Sequence, residues 1–478
     1  MKYFVESYGC TMNFGEGRRL SEDMASLGYS EASSADDADI VILNTCTVVE
    51  TTEKKMIQRI AELKKAGKKI IVAGCMAKVQ PQRIEIRLPG SIIIPPREYG
   101  GFSDLVTSKY GVAGPPLPAA VGTDAILPIA QGCLGNCSYC ITKYARGKLM
   151  SYPEESIIDE FKRFVSSGAK EILLTAQDTA CYGFDIGTDL ADLLSKMLKV
   201  DGDYMIRIGM MNPNHLSRIA DRLLDAMDDP RVYRFLHIPV QSGSDSVLKS
   251  MRRGYTAEDF LGLARKLRDR YPDISIATDV ITGYPGETDS DHEATKDLIR
   301  ALRADTINIT RFSPRPGTNA SGMEQVHGRI AKERSTELTE LKNSVEYDVN
   351  SALVGKVFEA LATEHKEGTI VRTNNYRPVV IKETIPLGTK VRVRIEGCKP
   401  TYLIGKLERA PIKHYTLMDS ESQIVLWCRG QSCRPLEPAT LVRIRAGLPS
   451  YPTRIRVFRW FLWTVSRPRH PSLLSPIC

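Results

Sequence analysis

The chain reads as an α/β protein of three modules. They are an N-terminal parallel α/β domain, a (βα)6-type partial barrel and a small C-terminal β-barrel, followed by an atypical tail. Three observations carry this reading. Short apolar runs alternate with amphipathic stretches over residues 1–108 and again over 125–341, the rhythm that builds parallel sheets with helices on their faces. Gly and Pro among small residues fill 109–124, a linker composition. From residue 342 the pattern changes to short β runs separated by turn residues.

In residues 1–108 the candidate strands are Lys2–Ser7, Asp39–Asn44 and Lys69–Ala73. Over residues 51–66, Met56, Ile57, Ile60 and Leu63 share one helical face, and Gly67 stops the helix. Residues 125–341 repeat strand and helix six times, with strands at Ala125–Ala130, Lys170–Thr175, Tyr204–Gly209, Arg234–Pro239, Ile274–Val280 and Asp305–Thr310. A barrel of such units does its chemistry at the C-terminal ends of its strands. A helix follows at 328–350, then five β runs over 356–406: KVFEALAT, GTIVRT, YRPVVI, KVRVRIE and TYLIGK, in a module expected to span 342–406. Residues 407–478 include all three Trp and are rich in Pro and Arg, without a clear strand or helix period. The expectation there is a basic tail, disordered or loosely packed and dispensable.

The 478 residues are 26% charged and 42% hydrophobic, which excludes a collagen-like, disulfide-miniprotein or disordered chain. The formal net charge is +8, and it is unevenly placed. Residues 411–478 carry +7 and 342–406 carry +4, which leaves −3 on the rest. No stretch approaches the roughly 20 apolar residues that span a bilayer. The start, MKYFVESYGC, lacks a signal-peptide pattern. The expected location is the cytoplasm, without membrane association. There, eleven cysteines are better candidates for metal ligands, catalytic groups or small buried side chains than for disulfides.

The sharpest motif is Cys133-Leu134-Gly135-Asn136-Cys137-Ser138-Tyr139-Cys140, on the loop after the first barrel strand. Closely spaced thiolates converge on a soft metal or an iron–sulfur centre. Structural zinc wants a fourth ligand, and none lies nearby in sequence. A second set, Cys10, Cys46 and Cys75, is spread along the chain. Each of these cysteines directly follows a predicted strand, in Tyr8-Gly9-Cys10, Asn44-Thr45-Cys46 and Ala73-Gly74-Cys75. In a parallel sheet those strand ends share the edge where ligands bind. A second three-cysteine cluster, core thiols and a redox pair all remain open on this pattern.

The first spacing, at this place in a βα barrel, resembles the radical S-adenosylmethionine (SAM) superfamily. The two triads in this order, followed by a β module, resemble its methylthiotransferase family over residues 1–406. The strings that carry the likeness are ESYGCTMN, NTCTVVETTEKK, VAGCMA, AQGCLGNCSYCITKYARGKL, TAQDTACYGFD, MNPNH, IPVQSGSDSVLKSMRRGY, DVITGYPGET and RFSPRPGT. The resemblance implies two 4Fe-4S clusters. One, on Cys133, Cys137 and Cys140, would cleave SAM to a 5′-deoxyadenosyl radical. The other, on Cys10, Cys46 and Cys75, would carry or deliver sulfur. A second SAM would supply the methyl group.

The same resemblance implies site residues. Tyr139 matches the aromatic near the SAM adenine, and Ile281 and Gly283 match a strand-five motif that supports it, with Asp279 beside them. Gln177 and Asp178 match the position that contacts the SAM amino group, or form a polar loop turn. Asn212, Gln241 and Ser242 are candidates for the SAM ribose or carboxylate, with helix capping the alternative for Asn212. Arg146, Lys148 and Arg311 are candidates for substrate or SAM carboxylate contacts. Cys181 lies in a matching string, is no ligand in the family pattern, and is read as loop packing.

The last β module resembles the TRAM domain, an RNA-binding barrel. Its Lys390-Val391-Arg392-Val393-Arg394-Ile395 alternates cationic and apolar side chains, so Lys390, Arg392 and Arg394 would line one RNA-facing side. Tyr376 and Tyr402 are candidates for base stacking or for core packing. Family members act on adenosine 37 of tRNA or on a ribosomal protein. The strings are most similar to the archaeal and eukaryotic branch, which methylthiolates carbon 2 of N6-threonylcarbamoyladenosine. The implied partners are the tRNA anticodon loop, an electron donor of the flavodoxin or ferredoxin type and an unknown sulfur donor. An isopentenyl-type adenosine or ribosomal-protein substrate, and a non-enzymatic iron–sulfur RNA-binding or redox-sensing role, are the alternatives.

Overall fold

The computed structural model describes residues 1–118 and 122–408, together with the backbone of three strands between 413 and 434. Its N-terminal sheet holds β1 (Lys2–Ser7), β2 (Ser30–Glu31), β3 (Ile40–Thr45), β4 (Lys69–Gly74) and β5 (Ile92–Ile94), all parallel, in the order β2-β1-β3-β4-β5. β3 is buried at every residue, as a central strand covered on both faces must be. The helices are α1 (Thr11–Ser26), α2 (Glu50–Lys65), α3 (Cys75–Val79), α4 (Pro81–Glu85) and α5 (Phe102–Tyr110). On α2, Met56, Ile60 and Leu63 are buried, with Glu50 and Glu53 in the first turn and Lys64 and Lys65 in the last. That charge order complements the helix dipole. The sheet reverses its winding direction between β1 and β3, and a crevice opens at the C-terminal ends of strands at such a point. β2 and β5 were missed in the sequence because two or three residues show no period. The predicted linker is shorter than expected: α5 runs through Lys109 and Tyr110, and Gly111, at φ +79°, ends it.

The predicted first barrel strand is two pieces. β6 (Asp124–Pro128) joins the barrel, whereas β7 (Ala130–Gln131) turns aside to pair with β8 (Met150–Ser151) and so brackets the three-cysteine loop. That loop carries the short helix α6 (Thr142–Arg146). The other barrel strands are β9 (Glu171–Thr175), β10 (Met205–Arg207), β11 (Phe235–His237), β12 (Ser275–Thr282) and β13 (Thr306–Arg311). Between them run α7 (Glu154–Ser166), α8 (Leu190–Met197), α9 (Pro213–Ala226), α10 (Asp245–Ser250), α11 (Ala257–Arg270) and α12 (Asp289–Leu302). The six strands lie side by side in chain order as β6-β9-β10 and β11-β12-β13, linked by a parallel bridge between Ile206 and Val232. No pairing of β6 with β13 occurs among the described residues, so the barrel is partial, as predicted.

α13 (Gly328–Ser351) crosses the boundary expected at 341/342. Its Leu338 and Val345 join the barrel core, which makes the helix part of the barrel, and the chain changes character only after Ser351. β14 (Val357–Lys366), β15 (Gly368–Thr373), β16 (Pro378–Ile381), β17 (Lys390–Cys398) and β18 (Leu403–Leu407) close a five-stranded barrel in the order β14-β15-β16-β18-β17. Its core is Ala360, Ala362, Val371, Val379, Ile381, Val393, Ile395 and Leu403. A separate unit, Arg409–Cys478, contains β19 (Lys413–Met418), β20 (Gln423–Arg429) and β21 (Ser432–Arg434), paired antiparallel. These strands lie in the segment expected to be a disordered or loosely packed basic tail, where no strand period was visible, and residues 435–478 lie outside the described residues. Among the described residues, no helix is long and apolar enough to cross a membrane.

Candidate active site

The loop from Cys133 to Cys140 is pinned at several points. Gly132 donates its N–H to Oε1 of Gln177 at 2.6 Å. It has φ +75°, and a Cβ there would lie 2.0 Å from the carbonyl oxygen of Lys148, so only glycine makes this turn. Ser138 hydrogen-bonds the Ser250 carbonyl at 2.9 Å and the Tyr284 hydroxyl at 2.8 Å. Two donors point at the thiols themselves: the Gly135 N–H at Cys133 Sγ, 3.1 Å, and Arg253 Nη1 at Cys137 Sγ, 3.3 Å. Donors aimed at sulfur stabilise thiolate, the form that ligates metal. The three thiols fit a soft cluster by donor type, with an Arg and an amide set to balance their charge. Arg253, buried and also bonded to the Pro239 carbonyl at 2.9 Å, was missed in the sequence. Its signal lay inside the string IPVQSGSDSVLKSMRRGY, where nothing separated it from its neighbour Arg252.

The expected SAM-binding residues gather at the C-terminal ends of the barrel strands. Tyr139 and Ile281 pack on one apolar cluster with Val247, Met251 and Tyr284. Burial pushes the Tyr139 phenol far above its ordinary range, which keeps it neutral. Gln241 takes φ +76°, a region rare for a residue with a Cβ. Its backbone is bonded on both sides to β12, to the Asp279 carbonyl and from the Ile281 N–H, while its buried side-chain oxygen Oε1 has no protein partner. An orphaned acceptor at this edge suits a polar ligand. Gly283, at φ +70°, instead lets β12 turn beneath Ala331 of α13.

Other candidates are occupied by the protein itself. Asn212 caps α9, accepting from the Asn214 N–H at 3.1 Å. Ser242 accepts from the Ser244 N–H at 3.1 Å. Asp279 accepts from His237 at 3.0 Å and from Asn308 at 2.8 Å. Burial raises its pKa, and these partners more than reverse that. Asp178 accepts from the Ala180 and Asn212 N–H groups and, at 2.5 Å, from His215 Nδ1. It ties the end of β9 to the end of β10 and keeps one lone pair unspent. Arg311 and Lys148 are exposed, and no side-chain bond of Arg311 occurs among the described residues.

The second triad is assembled by topology. Cys10 follows β1, Cys46 follows β3 and Cys75 opens α3 after β4. Gly9, at φ +102°, lets the Cys10 loop close on Cys46, because a Cβ there would sit 2.8 Å from Cys46 Sγ. Gly74, at φ +91°, does the same against the Thr45 backbone. Asn13 is the hub. Its Nδ2 donates to the Tyr8 and Thr45 carbonyls at 2.7 and 3.0 Å, and Cys10 Sγ lies 3.8 Å from its Oδ1. Burial pushes the Cys75 thiol up to about 11, so a cluster there would have to drive off a proton. Backbone that only glycine can adopt, folded around three thiols, fits a cluster cradle.

Arg146 is a correction. Expected as a substrate or SAM contact, it is instead buried at 1% exposure, bonded to Glu16 at 2.5 and 2.7 Å and to Asn13 Oδ1 at 2.7 Å. α6, which ends in Arg146, packs on α3, which begins with Cys75. Burial works against its charge, yet Cys75, Glu16 and Cys10 hold its pKa well above the ordinary value. One cation therefore belongs to the loop of the first triad and sits within the second. A parallel link joins Glu53 to Arg315, both buried, with Thr47 beside Cys46 as a further partner of Arg315. Neither pair was legible in sequence, because the partners lie 130 and 262 residues apart. A cavity of about 1030 Å³ opens between α1 and β6, lined by Glu16, Tyr99 and Gln131 among others and by none of the six cysteines.

On the small barrel, β17 alternates as predicted, with Lys390, Arg392 and Arg394 exposed and Val393 and Ile395 buried. Lys390 pairs with Asp203 at 2.5 Å and Arg394 with Glu408 at 2.7 Å. Arg392 has no side-chain partner among the described residues. Tyr376 is core, with its ring 4.8 Å from Tyr233 and 5.0 Å from Phe235. Tyr402 remains 36% exposed.

Known proteins align with these modules. Residues 127–299 match the Radical SAM superfamily, residues 2–94 the uncharacterized protein family UPF0004 and residues 351–407 the TRAM domain. A probable threonylcarbamoyladenosine tRNA methylthiotransferase of Pyrococcus abyssi is 38% identical over 426 residues, covering 85% of this chain and 99% of the relative. Its namesake in Archaeoglobus fulgidus is 37% identical over 425 residues, again 85% of this chain and 99% of that protein. The threonylcarbamoyladenosine tRNA methylthiotransferase of Xenopus laevis is 36% identical over 430 residues, 85% of this chain and 77% of that one. Among solved structures, the radical SAM methyltransferase TsrM of Kitasatospora setae aligns with TM-score 0.49 and 14% identity, over 65% of this chain and 72% of that one.

Proposed function

This chain belongs to the radical SAM methylthiotransferase family whose members are named threonylcarbamoyladenosine tRNA methylthiotransferases, and from that premise we propose that it inserts a methylthio group at carbon 2 of N6-threonylcarbamoyladenosine at tRNA position 37. Membership of the radical SAM superfamily implies a 4Fe-4S cluster and SAM. Cys133, Cys137 and Cys140 would hold that cluster, and cluster and SAM when bound supply the one-electron chemistry that opens an unactivated carbon–hydrogen bond. Cys10, Cys46 and Cys75 would hold a second cluster, the source or carrier of the sulfur.

The observation that carries the reading is the shared polar frame of the two triads. Arg146 descends from the first cysteine loop into the second set, so the two sites are built as one. Around the first site, Gln177 and Ser138 would hold the loop, Arg253 and the Gly135 amide would donate to the sulfurs of Cys137 and Cys133, and Gln241 and Tyr139 would face SAM. The α6–α3 contact excludes water from Cys75, which is 3% exposed, while Cys10 stays open to solvent. The small barrel would hold the tRNA backbone, with Arg392 among the cations that have no side-chain partner among the described residues. An electron donor of the flavodoxin or ferredoxin type and a sulfur donor complete the reaction.

The test is nucleoside mass spectrometry of tRNA from a host that makes threonylcarbamoyladenosine but not its methylthio form. Expression of the chain should create the methylthio nucleoside. If threonylcarbamoyladenosine stays unconverted while an isopentenyl-type adenosine or a ribosomal protein gains the group, the substrate assignment is wrong.

A further inference from the structure

The thiol of Cys181 belongs to neither triad by its place in the sequence and is fully buried at a polar strand end. Its neighbours there are Cys133 and Asp178, and the ligand atoms of the three all lie within 4.8 Å of one another. Zinc binds thiolate at about 2.3 Å and carboxylate at about 2.0–2.2 Å, which sets the donors of one ion roughly 3.5–4 Å apart. We propose that Cys133, Asp178 and Cys181 form a site for a single zinc-type divalent ion, which shares only Cys133 with the three-thiol set of the radical site.

The site is preorganised. The Asp178 carboxylate is fixed by two backbone amides and by His215 at 2.5 Å, the kind of outer contact that orients metal ligands. Cys181 Sγ is held 3.2 Å from the Asp178 carbonyl oxygen, to which it donates. Two soft thiolates and a carboxylate select zinc over calcium or magnesium and favour it over ferrous iron. Cys133 is partly exposed, and a water would complete the coordination. Binding replaces two S–H protons, which leave to solvent, by two metal–sulfur bonds, with no change of oxidation state.

The consequence, which rests on Cys133 being a ligand of the radical site, is competition. An ion held here engages Cys133 and blocks assembly of the cluster. The zinc-loaded chain is an off state, and Cys181 makes it possible without serving the reaction.

The cluster-free, reduced full chain is titrated with Co²⁺, and thiolate-to-cobalt charge transfer is read by absorbance, with Zn²⁺ as competitor. The second triad also offers thiols, so the readout is the difference between the chain and its Cys181→Ala variant. That variant should lose one cobalt ion per chain. Cys137→Ala and Cys140→Ala should leave that ion in place. Circular dichroism and a Cys181→Ser variant check that the fold persists. Identical cobalt spectra and stoichiometry for the chain and Cys181→Ala would overturn the site. Equal loss on removing Cys137 would place the ion in the triad and also overturn it. Prior Zn²⁺ should slow iron uptake by the chain but not by Cys181→Ala, and an equal rate in both refutes the competition. Neither readout depends on product formation, so failure here is distinct from failure of the tRNA assignment.

Discussion

The two cysteine triads are built in opposite ways. Cys133, Cys137 and Cys140 share one eight-residue loop, and their spacing is a local property of the chain. Cys10, Cys46 and Cys75 are brought together by a five-stranded sheet whose switch point lies between β1 and β3. A local site needs only its loop held. A topological site needs a frame, and the frame here is Asn13, Glu16 and Arg146 on one side with Thr47, Glu53 and Arg315 on the other. The barrel contributes an arginine to each side. The second triad therefore depends on the docking of both domains for its frame, whereas the first has its three cysteines set by one loop that the docking only braces, through Arg97 on the Arg146 and Lys148 carbonyls.

Breaking this comparison at its strongest point means removing a local ligand. Cys133→Ala, Cys137→Ala or Cys140→Ala should reduce SAM cleavage to background, measured as 5′-deoxyadenosine by chromatography. If the proposed second four-iron site is present, the iron content should fall from about eight to about four per chain. Retained cleavage in any of the three would mean that the radical site is elsewhere.

The next largest effect is expected at Arg146. Arg146→Met leaves Glu16 charged and buried, which costs about 3–5 kcal/mol, read as a fall in thermal or denaturant stability of the cluster-free chain. The double variant Glu16→Gln/Arg146→Met should recover part of that loss. Because Arg146 serves the second site, its loss should lower methylthio product far more than 5′-deoxyadenosine. An equal fall in both would return Arg146 to the SAM side.

Arg315→Met should do less. Glu53 keeps Gln80 at 2.8 Å and Arg83 as partners, so the cost is about 1.5–3 kcal/mol. Hydrogen exchange should show the loss as faster opening of the Cys46 loop. The smallest effect belongs to the β17 surface. Arg392→Ala should weaken tRNA binding slightly and reduce the salt dependence of log Kd by roughly one, whereas Lys390→Ala should do less because Asp203 already holds Lys390.

The same contrast explains what was legible in the sequence. The six barrel strands, the closed β-barrel and the cysteine loop were visible because each rests on short-range period or spacing. Cys10, Cys46 and Cys75 were visible as strand ends. Their frame was hidden, because a buried Arg–Glu pair has no sequence signature distinguishing it from a solvated charge, and Arg146 was assigned to the wrong site for that reason. α13 was found, but its role in the barrel core became plain only when Leu338 and Val345 were seen to face inward. Asp178 and Asn212 sat correctly at strand ends, yet capping and turn bonds occupy much of what seemed available for a ligand.

The most direct test of this division is a single anaerobic reaction with reconstituted Cys46→Ala, SAM, reductant, sulfide and tRNA bearing threonylcarbamoyladenosine. Both 5′-deoxyadenosine and the methylthio nucleoside are quantified. The account predicts that 5′-deoxyadenosine continues to form and the methylthio nucleoside disappears. Methylthio nucleoside at the level of the unaltered chain would contradict it.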